Sequence, residues 1–587
     1  MGQRFQAYVI ARINSTYRCI AGWHNQWCWG ALPAQAARRF IDLVKVKSNA
    51  DIIREELKAF SLDKTDSDDH PCPFINFLLA VAINTNLEGE IFSSMSGAMF
   101  QNALIPASSD PWSEDNDEGF AVFDVTDPQN PAYCLSSEDM CTAPLSAEDY
   151  TLQNRHNERL DEETVAFFRQ VKMIEPYVLE EVWGFESGCD QPALEGSEHT
   201  LARTIVPSLT DLALEPAIDQ AVVCDDPDPL ERFIWLPEKA SLIMKILRTR
   251  CYASLGPATM AFISKVVQAN PSDIDLSYLS LSSDDIVQVL SCLERSQTIH
   301  CLNLSHNEHV STNTLHVVLK AHPNIRRIVL YGTSISDEDL DSLLYSERCL
   351  FYGVEEVIHP ALFSFGSSRR KSRRPAFSFW SAPGLSRTSV TASLPLLNPT
   401  LILQSISILL KAWIHVIREN EFGDGWTLSE SQTTCWSAFS GGLRGKDQRW
   451  GERAIIQCPF PSPRMFFEGW MFVLDSSKLF GFEGILKYGF IRPKSKVYDQ
   501  AQDVLPEYEI HELDSFLTEL KAEGYPEALA SVVDEMRVLL IRLKETILEL
   551  KLDDARLTGV KETLTLFTEE TIKECIGRCK SSLQLFR

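Results

Sequence analysis

One short apolar pattern recurs three times between residues 276 and 344, and it constrains the fold of this chain more than any other feature. Each copy has apolar residues at its first, fourth and sixth positions and a polar residue at its ninth. The copies are Leu276-x-x-Leu279-x-Leu281-x-x-Asp284, Ile299-x-x-Leu302-x-Leu304-x-x-Asn307 and Ile325-x-x-Ile328-x-Leu330-x-x-Thr333. Because they follow one another at nearly regular intervals along the chain, they indicate a repeated structural unit.

A helical pattern follows each copy. Its apolar residues are spaced three or four apart, as one face of a helix requires. They are Ile286, Leu290 and Leu293, then Leu315 and Leu319, then Leu340 and Leu344. Each unit is therefore predicted to contain one short strand and one helix, and neighbouring units must stack because none can bury its apolar face alone. We expect Leu279, Leu302 and Ile328 to lie side by side on parallel strands.

This pattern resembles the leucine-rich repeat, a family of curved strand and helix stacks. The resemblance covers residues 276–344, and it implies an arc of three units, about the minimum for a stable stack. Asp284 and Thr333 depart from the asparagine or cysteine that the family usually carries at that position.

Side chains between the inward-pointing leucines should face the open, concave side of the arc, since alternate residues of a strand point to opposite faces. Repeat proteins mostly bind partners on that side, and tyrosine and arginine often dominate binding energy. The predicted partner-binding residues are Tyr278, Ser280, Asn303, Ser305, Arg327 and Tyr331. The alternative is that three units form too short an arc and serve as a structural wall between larger domains.

The charge of the chain narrows the class of partner. The 587 residues include 55 Lys and Arg against 81 Asp and Glu, which gives a net charge of −26. Such a chain repels nucleic-acid phosphates and anionic membranes, and no stretch has the roughly 20 apolar residues that span a membrane. The expected partner is therefore another protein. No nucleic acid, membrane, metal or cofactor is predicted, and the oligomeric state stays open.

The length predicts several domains, because a single core stops growing at roughly 250–300 residues. We expect an α/β multi-domain protein with an α+β N-terminal domain (1–250), the leucine-rich-repeat block (251–350), a basic Ser/Pro-rich linker (360–398) and an α+β C-terminal domain with long terminal helices (399–587). Apolar residues from Val533 to Leu550 recur at spacings of three and four. This run is too short for a typical coiled coil, so we expect it to pack on its own domain.

Five cations lie close together in the predicted linker. They are Arg369, Arg370, Lys371, Arg373 and Arg374, and serines and a proline flank them. This composition indicates an exposed segment, either a nuclear-import signal or a solvated linker without a receptor. The 15 cysteines are scattered and no secretory leader is recognisable. We therefore expect reduced thiols and an intracellular location, cytoplasmic or nuclear.

An enzyme is the alternative interpretation, with a site near Trp23 to Trp29. Cys19, His24 and Cys28 are of types that bind zinc, but a structural zinc takes four ligands and no fourth follows nearby. Strict strand alternation also predicts that Cys19 and His24 point to opposite faces. Catalysis is thus the less favoured hypothesis. The opening Met-Gly-Gln-Arg, a predicted hairpin and the cluster Trp23–Gly30 resemble the start of a family of fungal proteins of unknown function, and this resemblance implies no chemistry.

Overall fold

A computed structural model gives the architecture of the protein. It describes residues 4–26, 28–62, 71–86, 93–94, 103–109, 111, 118–136, 144–153, 158–184, 209–250, 252, 255–360, 377–382, 390–394, 396–418, 469–475, 486–494, 505–553 and 563–584. Helices and sheets are both extensive, so the fold is of the mixed α/β class. The chain divides into two compact units. Unit 1 comprises residues 1–178, 341–356 and 360–587, and unit 2 comprises residues 179–340 and 357–359.

The amino-terminal part of unit 1 is built on a six-stranded sheet. Its strands are β1 (Arg4–Ile13), β2 (Thr16–Gln26), β5 (Ala103–Ile105), β6 (Phe120–Asp124), β7 (Ala132–Ser136) and β8 (Lys172–Met173), while β3 (Thr85–Asn86) pairs only with β4 (Ser93–Ser94). The strand order is β5-β2-β1-β6-β7-β8. β1 and β2 form the predicted hairpin. Its turn residues Asn14 and Ser15 have positive φ angles of 49° and 74°, as tight hairpin turns require.

Helices complete this part of the unit. They are α1 (Leu32–Lys45), α2 (Lys47–Leu62), α3 (Pro73–Asn84), α4 (Ala147–Gln153) and α5 (Glu162–Phe168), and α6 (Pro176–Trp183) crosses the boundary after residue 178. α1 packs on the sheet through Phe40, whose ring centroid lies 4.7 Å from that of Phe123. The carboxylate of Glu56 accepts hydrogen bonds from the backbone N–H groups of Phe74 and Ile75 at 2.8 and 3.0 Å. It thereby satisfies donors that the first turn of α3 leaves unpaired.

Unit 2 begins with helices and continues with alternating strands and helices. The elements are α7 (Leu209–Cys224), α8 (Asp228–Glu231), α9 (Pro237–Arg250), α10 (Pro257–Ala269), β9 (Asp273–Asp275), α11 (Ser283–Leu290), β10 (Ile299–Asn303), α12 (Thr312–Ala321) and β11 (Ile325–Val329), followed by α13 (Asp337–Ser346) and β12 (Glu356–Ile358), which each cross a boundary between the units. The strands form one sheet in the order β12-β11-β10-β9, and β10 pairs in parallel with both β9 and β11. Parallel neighbours need a long crossover, which the helices supply.

The boundary between the units differs from the predicted domain boundary. The expected N-terminal domain, residues 1–250, is divided after residue 178, and α7 to α9 belong to the same unit as the strands of the predicted repeat block. Within unit 2 an ion pair joins Arg248 of α9 to Asp275 of β9.

The predicted strand register is wrong for the first of the three sequence repeats. Ile274, not Leu279, lies beside Leu302, and Leu302 lies beside Ile328. Leu279 follows β9 in a turn. Leu276, Leu279 and Leu281 fit the first, fourth and sixth positions of the pattern, whereas Ile274 and Leu276 fit only the fourth and sixth positions of an earlier frame. In that frame the corresponding residues of the three strands are Ile274, Leu302 and Ile328, which are almost evenly spaced along the chain.

The turns after the strands share an unusual backbone conformation. Tyr278, His306 and Gly332 each come four residues after the aligned residues of their strands, and their φ angles are +60°, +58° and +60°. Tyr278 and His306 adopt this left-handed conformation although they have a Cβ, and their rings stack with centroids 4.1 Å apart. A Cβ on Gly332 would come within 2.6 Å of Nδ1 of His306. The third turn therefore requires glycine.

The fully buried side chain of Asn307 connects two of these turns through hydrogen bonds. Its Nδ2 donates to the backbone oxygens of Leu276 and Leu304 at 3.0 and 2.9 Å, and its Oδ1 accepts from the N–H of Leu281 at 3.0 Å. These bonds satisfy backbone groups that would otherwise be buried without partners, which costs free energy.

The predicted linker at 360–398 contains two strands in its described residues. There β13 (Phe377–Ala382) and β14 (Val390–Leu394) pair antiparallel, and β13 also pairs in parallel with β15 (Trp470–Asp475). Phe377 and Phe379 are buried. Alternating phenylalanines favour a half-buried strand, and this local signal outweighs the Ser- and Pro-rich composition around it.

The carboxyl-terminal part of unit 1 combines this sheet with long helices. The remaining elements are α14 (Pro399–Arg418), β16 (Leu486–Pro493), β17 (Tyr508–His511), α15 (Leu513–Ala522), α16 (Ala530–Asp553), β18 (Leu564–Leu566) and α17 (Glu569–Gln584). The sheet order is β14-β13-β15-β16-β17, with β18 also on β16. Val533, Met536, Leu543 and Ile547 of α16 lie in the core, which confirms that this stripe packs on its own domain.

A matched pair of glycine substitutions tests the geometry of the third turn. Gly184 has a φ of +65° but no atom within 4 Å of a built Cβ. Both Gly332→Ala and Gly184→Ala should cost about 1–2 kcal/mol for the left-handed backbone, and Gly332→Ala should cost more because it also displaces His306. We therefore expect the urea midpoint of Gly332→Ala, measured by circular dichroism, to be lower than that of Gly184→Ala. Equal midpoints would contradict the contact with His306.

Candidate interaction surface

The sheet of unit 2 has a face whose side chains alternate with the buried Ile274, Leu302 and Ile328. Strand pairing places Asp273, Cys301 and Arg327 in one row across three strands. Asp273 is exposed, and Cys301 and Arg327 are partly exposed. Neighbouring strands lie about 4.8 Å apart, so these three residues span roughly 10 Å, with a carboxylate on β9 and a guanidinium on β11, and β12 continues the sheet beyond β11.

A second row runs parallel to the first and is held by the turns that follow it. It contains Asp275, Asn303 and Val329. Oδ1 of Asn303 accepts a hydrogen bond from the N–H of Ser305 at 3.0 Å, and Oδ1 of Asp275 accepts one from the N–H of Ser277 at 3.1 Å. Asp275 also pairs with Arg248. Asp275 and Asn303 are partly exposed, whereas Val329 is buried.

The structure separates the six predicted binding residues into three groups. Asn303 and Arg327 lie on the partly exposed face. Tyr278 and Ser280 lie in the turn after β9, because the register of the first unit differs from the prediction. Ser305 and Tyr331 have 0% of their surface exposed, so the prediction that they present themselves to a partner is wrong. Alternation predicts which face a side chain is on, but not whether other atoms cover that face.

Asp273 and Asp275 belong to this surface although the predicted set of binding residues did not include them. They flank Ile274, and this Asp-Ile-Asp alternation is a signal of a strand with one buried and one polar face. Their inclusion changes the electrostatics. The surface carries carboxylates on β9 and the guanidinium of Arg327 on β11.

The cluster of the enzyme hypothesis lies on β2 and just after it. Cys19 and Cys28 are buried, and burial raises the pKa of each thiol to about 12. A thiolate is the form that attacks substrates and binds metals, and at neutral pH these thiols are protonated. His24 is partly exposed, and Trp27 lies outside the described residues. These observations give the enzyme hypothesis no support.

The predicted opposition of Cys19 and His24 is wrong because β2 contains a bulge. The register shifts between Val9 and Ile10, so that Ala21 lies opposite Val9 but Cys19 lies opposite Ile10. Cys19 thus faces the same side as His24, which lies opposite Gln6. Five residues of strand still separate the two by roughly 16 Å, too far for one metal ion. Within the described ranges, no group of three or more His, Cys, Asp or Glu is arranged to hold a metal.

Two other features concern location. The basic run Arg369, Arg370, Lys371, Arg373 and Arg374 lies outside the described residues. Of the helices in the described part of the chain, none is both long and apolar enough to cross a bilayer.

Thiol labelling tests the burial of the amino-terminal cysteines. Cys19, Cys28 and Cys134 each have a pKa of about 12, so only roughly one thiol in 10,000 is ionised at pH 8. The exposed Cys224 and Cys349 are internal controls. In the native protein, iodoacetamide should modify the controls and spare the three buried thiols, and all five should react in urea. Peptide mass mapping measures both states, and native labelling of Cys19 at the rate of Cys224 would refute the burial.

The chain was compared with protein-family models, curated proteins and solved structures, and nothing matches it in any of the three.

Proposed function

We propose that the protein is a non-catalytic interaction or scaffold protein, and that the strands and helices of unit 2 form a short leucine-rich repeat that binds another protein. Three features support this. The aligned residues Ile274, Leu302 and Ile328 recur at intervals within the range of roughly 20–29 residues that is typical of that repeat. The turns share one backbone conformation. Asn307 bonds to backbone groups of Leu276 and Leu281 in the first turn and of Leu304 in the second, which accounts for an asparagine at that position.

The row Asp273, Cys301 and Arg327 is the observation that carries the proposal. It offers a partner both charges on one small, ordered surface. Arginine is enriched at binding hot spots because its planar group makes several hydrogen bonds and stacks on apolar groups. A partner with a carboxylate opposite Arg327 and a cation opposite Asp273 fits this row. Such paired charges set the orientation of a complex.

Two adjacent arginines provide a matched test. Arg327 lies on the proposed surface, whereas the side chain of Arg326 is on the other face of β11 by strand alternation. We expect Arg327→Glu to reduce the recovery of specific partner proteins in an affinity pull-down at least ten-fold. The new glutamate would face the partner's carboxylate, and such a pair of like charges costs several kcal/mol at an interface. Arg326→Glu, which makes the same charge change, should leave recovery unchanged. Quantitative mass spectrometry gives the readout, with circular dichroism to confirm folding.

The outcomes separate the hypotheses. Equal recovery by the wild type and both variants would exclude this face as the binding surface and favour the structural-wall interpretation. Equal loss in both variants would indicate a general charge effect, which also contradicts the proposal.

We also propose an intracellular location, cytoplasmic or nuclear. The cysteines in the described part of the chain are not joined in disulfides, the arrangement that reducing compartments favour. If the basic run is an import signal, replacing Arg369, Arg370, Lys371, Arg373 and Arg374 by Ala should move a fluorescent fusion from nucleus to cytoplasm. The matched control replaces Ser367, Ser368 and Ser372 by Ala and keeps the cations. Identical distributions of the basic-run variant and the wild type would mean that the run is a solvated linker only.

A further inference from the structure

The two parts of unit 1 contain sheets with the same connections. In each part the first two strands form an antiparallel hairpin, β1 with β2 and β13 with β14. A later strand pairs in parallel with the first strand of the hairpin, β6 with β1 and β15 with β13. The strand after it pairs antiparallel, β7 with β6 and β16 with β15. Four strands are thus joined in the same order, β2-β1-β6-β7 and β14-β13-β15-β16.

The correspondence continues past β7 and β16. Leu145 forms an antiparallel bridge to Leu135 of β7, and β17 pairs antiparallel with β16 as far as His511, which lies opposite Phe490. The helices α4 and α15 each begin two residues after this pairing ends. A short strand then pairs in parallel, β8 with β7 and β18 with β16, and α6 and α17 each begin three residues after it ends. Five pairings therefore agree in partner, in direction and in order along the chain.

Glycines with matching backbone angles precede the parallel strands β6 and β15. Gly119 and Gly469 stand directly before these strands, and their φ angles are +81° and +82°. This conformation is open to glycine but strained for residues that have a Cβ. The two parts thus share a local backbone conformation as well as a topology.

Equivalent side chains recur at the far end of the same two strands. β6 ends at Asp124 and β15 ends at Asp475. The residue before each aspartate lies opposite a tyrosine, Tyr133 of β7 or Tyr488 of β16. β15 is one residue longer than β6. Because this extra residue shifts the aspartates relative to the glycines, strand pairing reveals an equivalence that a direct comparison of the two sequences hides.

Each part of unit 1 has a hydrophobic core of its own. The buried members of the two core clusters in the carboxyl-terminal part all lie between Phe377 and Ile576. In the amino-terminal part α1 packs on the sheet, as described above, and Phe168 of α5 packs on Tyr133 with ring centroids 4.6 Å apart. A separate core is what allows a domain to fold alone.

We infer that the two parts of unit 1 are two copies of one domain, and that each copy folds and opens as its own cooperative unit. The first copy ends with α6 and the second begins with β13, so unit 2 lies in the chain between two complete domains. Among the described residues α2, α3 and β5 occur in the first copy only, and they mark where the copies have diverged. The inference does not depend on what unit 2 binds.

Hydrogen exchange of the full chain, measured by mass spectrometry, tests whether the copies open separately. Gly119→Ala and Gly469→Ala make the same change at equivalent positions, and each should shift the ratio of folded to unfolded forms of its own copy roughly 5- to 30-fold. We expect Gly119→Ala to speed exchange of the protected amides of β1 and β6 at least five-fold and to leave β15 and β16 at the wild-type rate. Gly469→Ala should do the reverse.

Gly184→Ala is the control, because it places alanine at a left-handed position outside both sheets and should leave the exchange of both unchanged. Complete opening of one sheet would still support the inference, provided that the other sheet keeps its protection. Faster exchange of both sheets in Gly119→Ala or in Gly469→Ala would show one cooperative unit. Unchanged exchange in the sheet that carries the substitution would show that the two glycines are not a shared constraint. Either of these last two results would overturn the inference.

Discussion

The buried amide of Asn307 is the interaction on which the strand and helix block of unit 2 depends. Sharp turns inside a stack of parallel strands leave backbone N–H and C=O groups without water and without partners in the sheet. One side chain with two donors and an acceptor satisfies such groups in two successive turns at once. Its net effect is larger than that of an average hydrogen bond, because removing it would leave several polar groups buried and unpaired. The alignment of Ile274 with Leu302, and hence the position of Asp273 and Asp275, rests on that arrangement.

Much of this block could be predicted from the sequence, and the errors have a physical origin. Alternation of strand and helix patterns predicted parallel strands with helices between them, since each periodicity reports one kind of half-buried element. The first strand was misplaced because Leu276, Leu279 and Leu281 match all three apolar positions of one frame, while Ile274 and Leu276 match only two positions of the earlier frame that strand pairing selects. The same ambiguity hid Asp273 and Asp275. Burial of Ser305 and Tyr331 depends on atoms distant in sequence, which no local pattern encodes.

Composition was misleading where a short strong signal lay inside a polar stretch. Phe377 and Phe379 form a strand in the core of the carboxyl-terminal sheet, although the Ser, Pro and Arg residues around them suggested a linker. In the amino-terminal sheet a single bulged position in β2 placed Cys19 on the face of His24. Both cases show that one or two residues can decide a face or a boundary that the average composition of a longer segment does not reveal.

The order of the segments in the chain has a consequence for folding during synthesis on the ribosome. Unit 2 is complete in sequence once residue 359 has been made, whereas unit 1 still lacks residues 360–587. At roughly 5–20 residues per second, that last stretch takes about 10–50 s to synthesise, far longer than a small domain needs to fold. The inserted unit can thus become native while the sheet of β13 to β18 does not yet exist. Unit 1 is completed only after unit 2, although its amino-terminal sheet and helices are synthesised first.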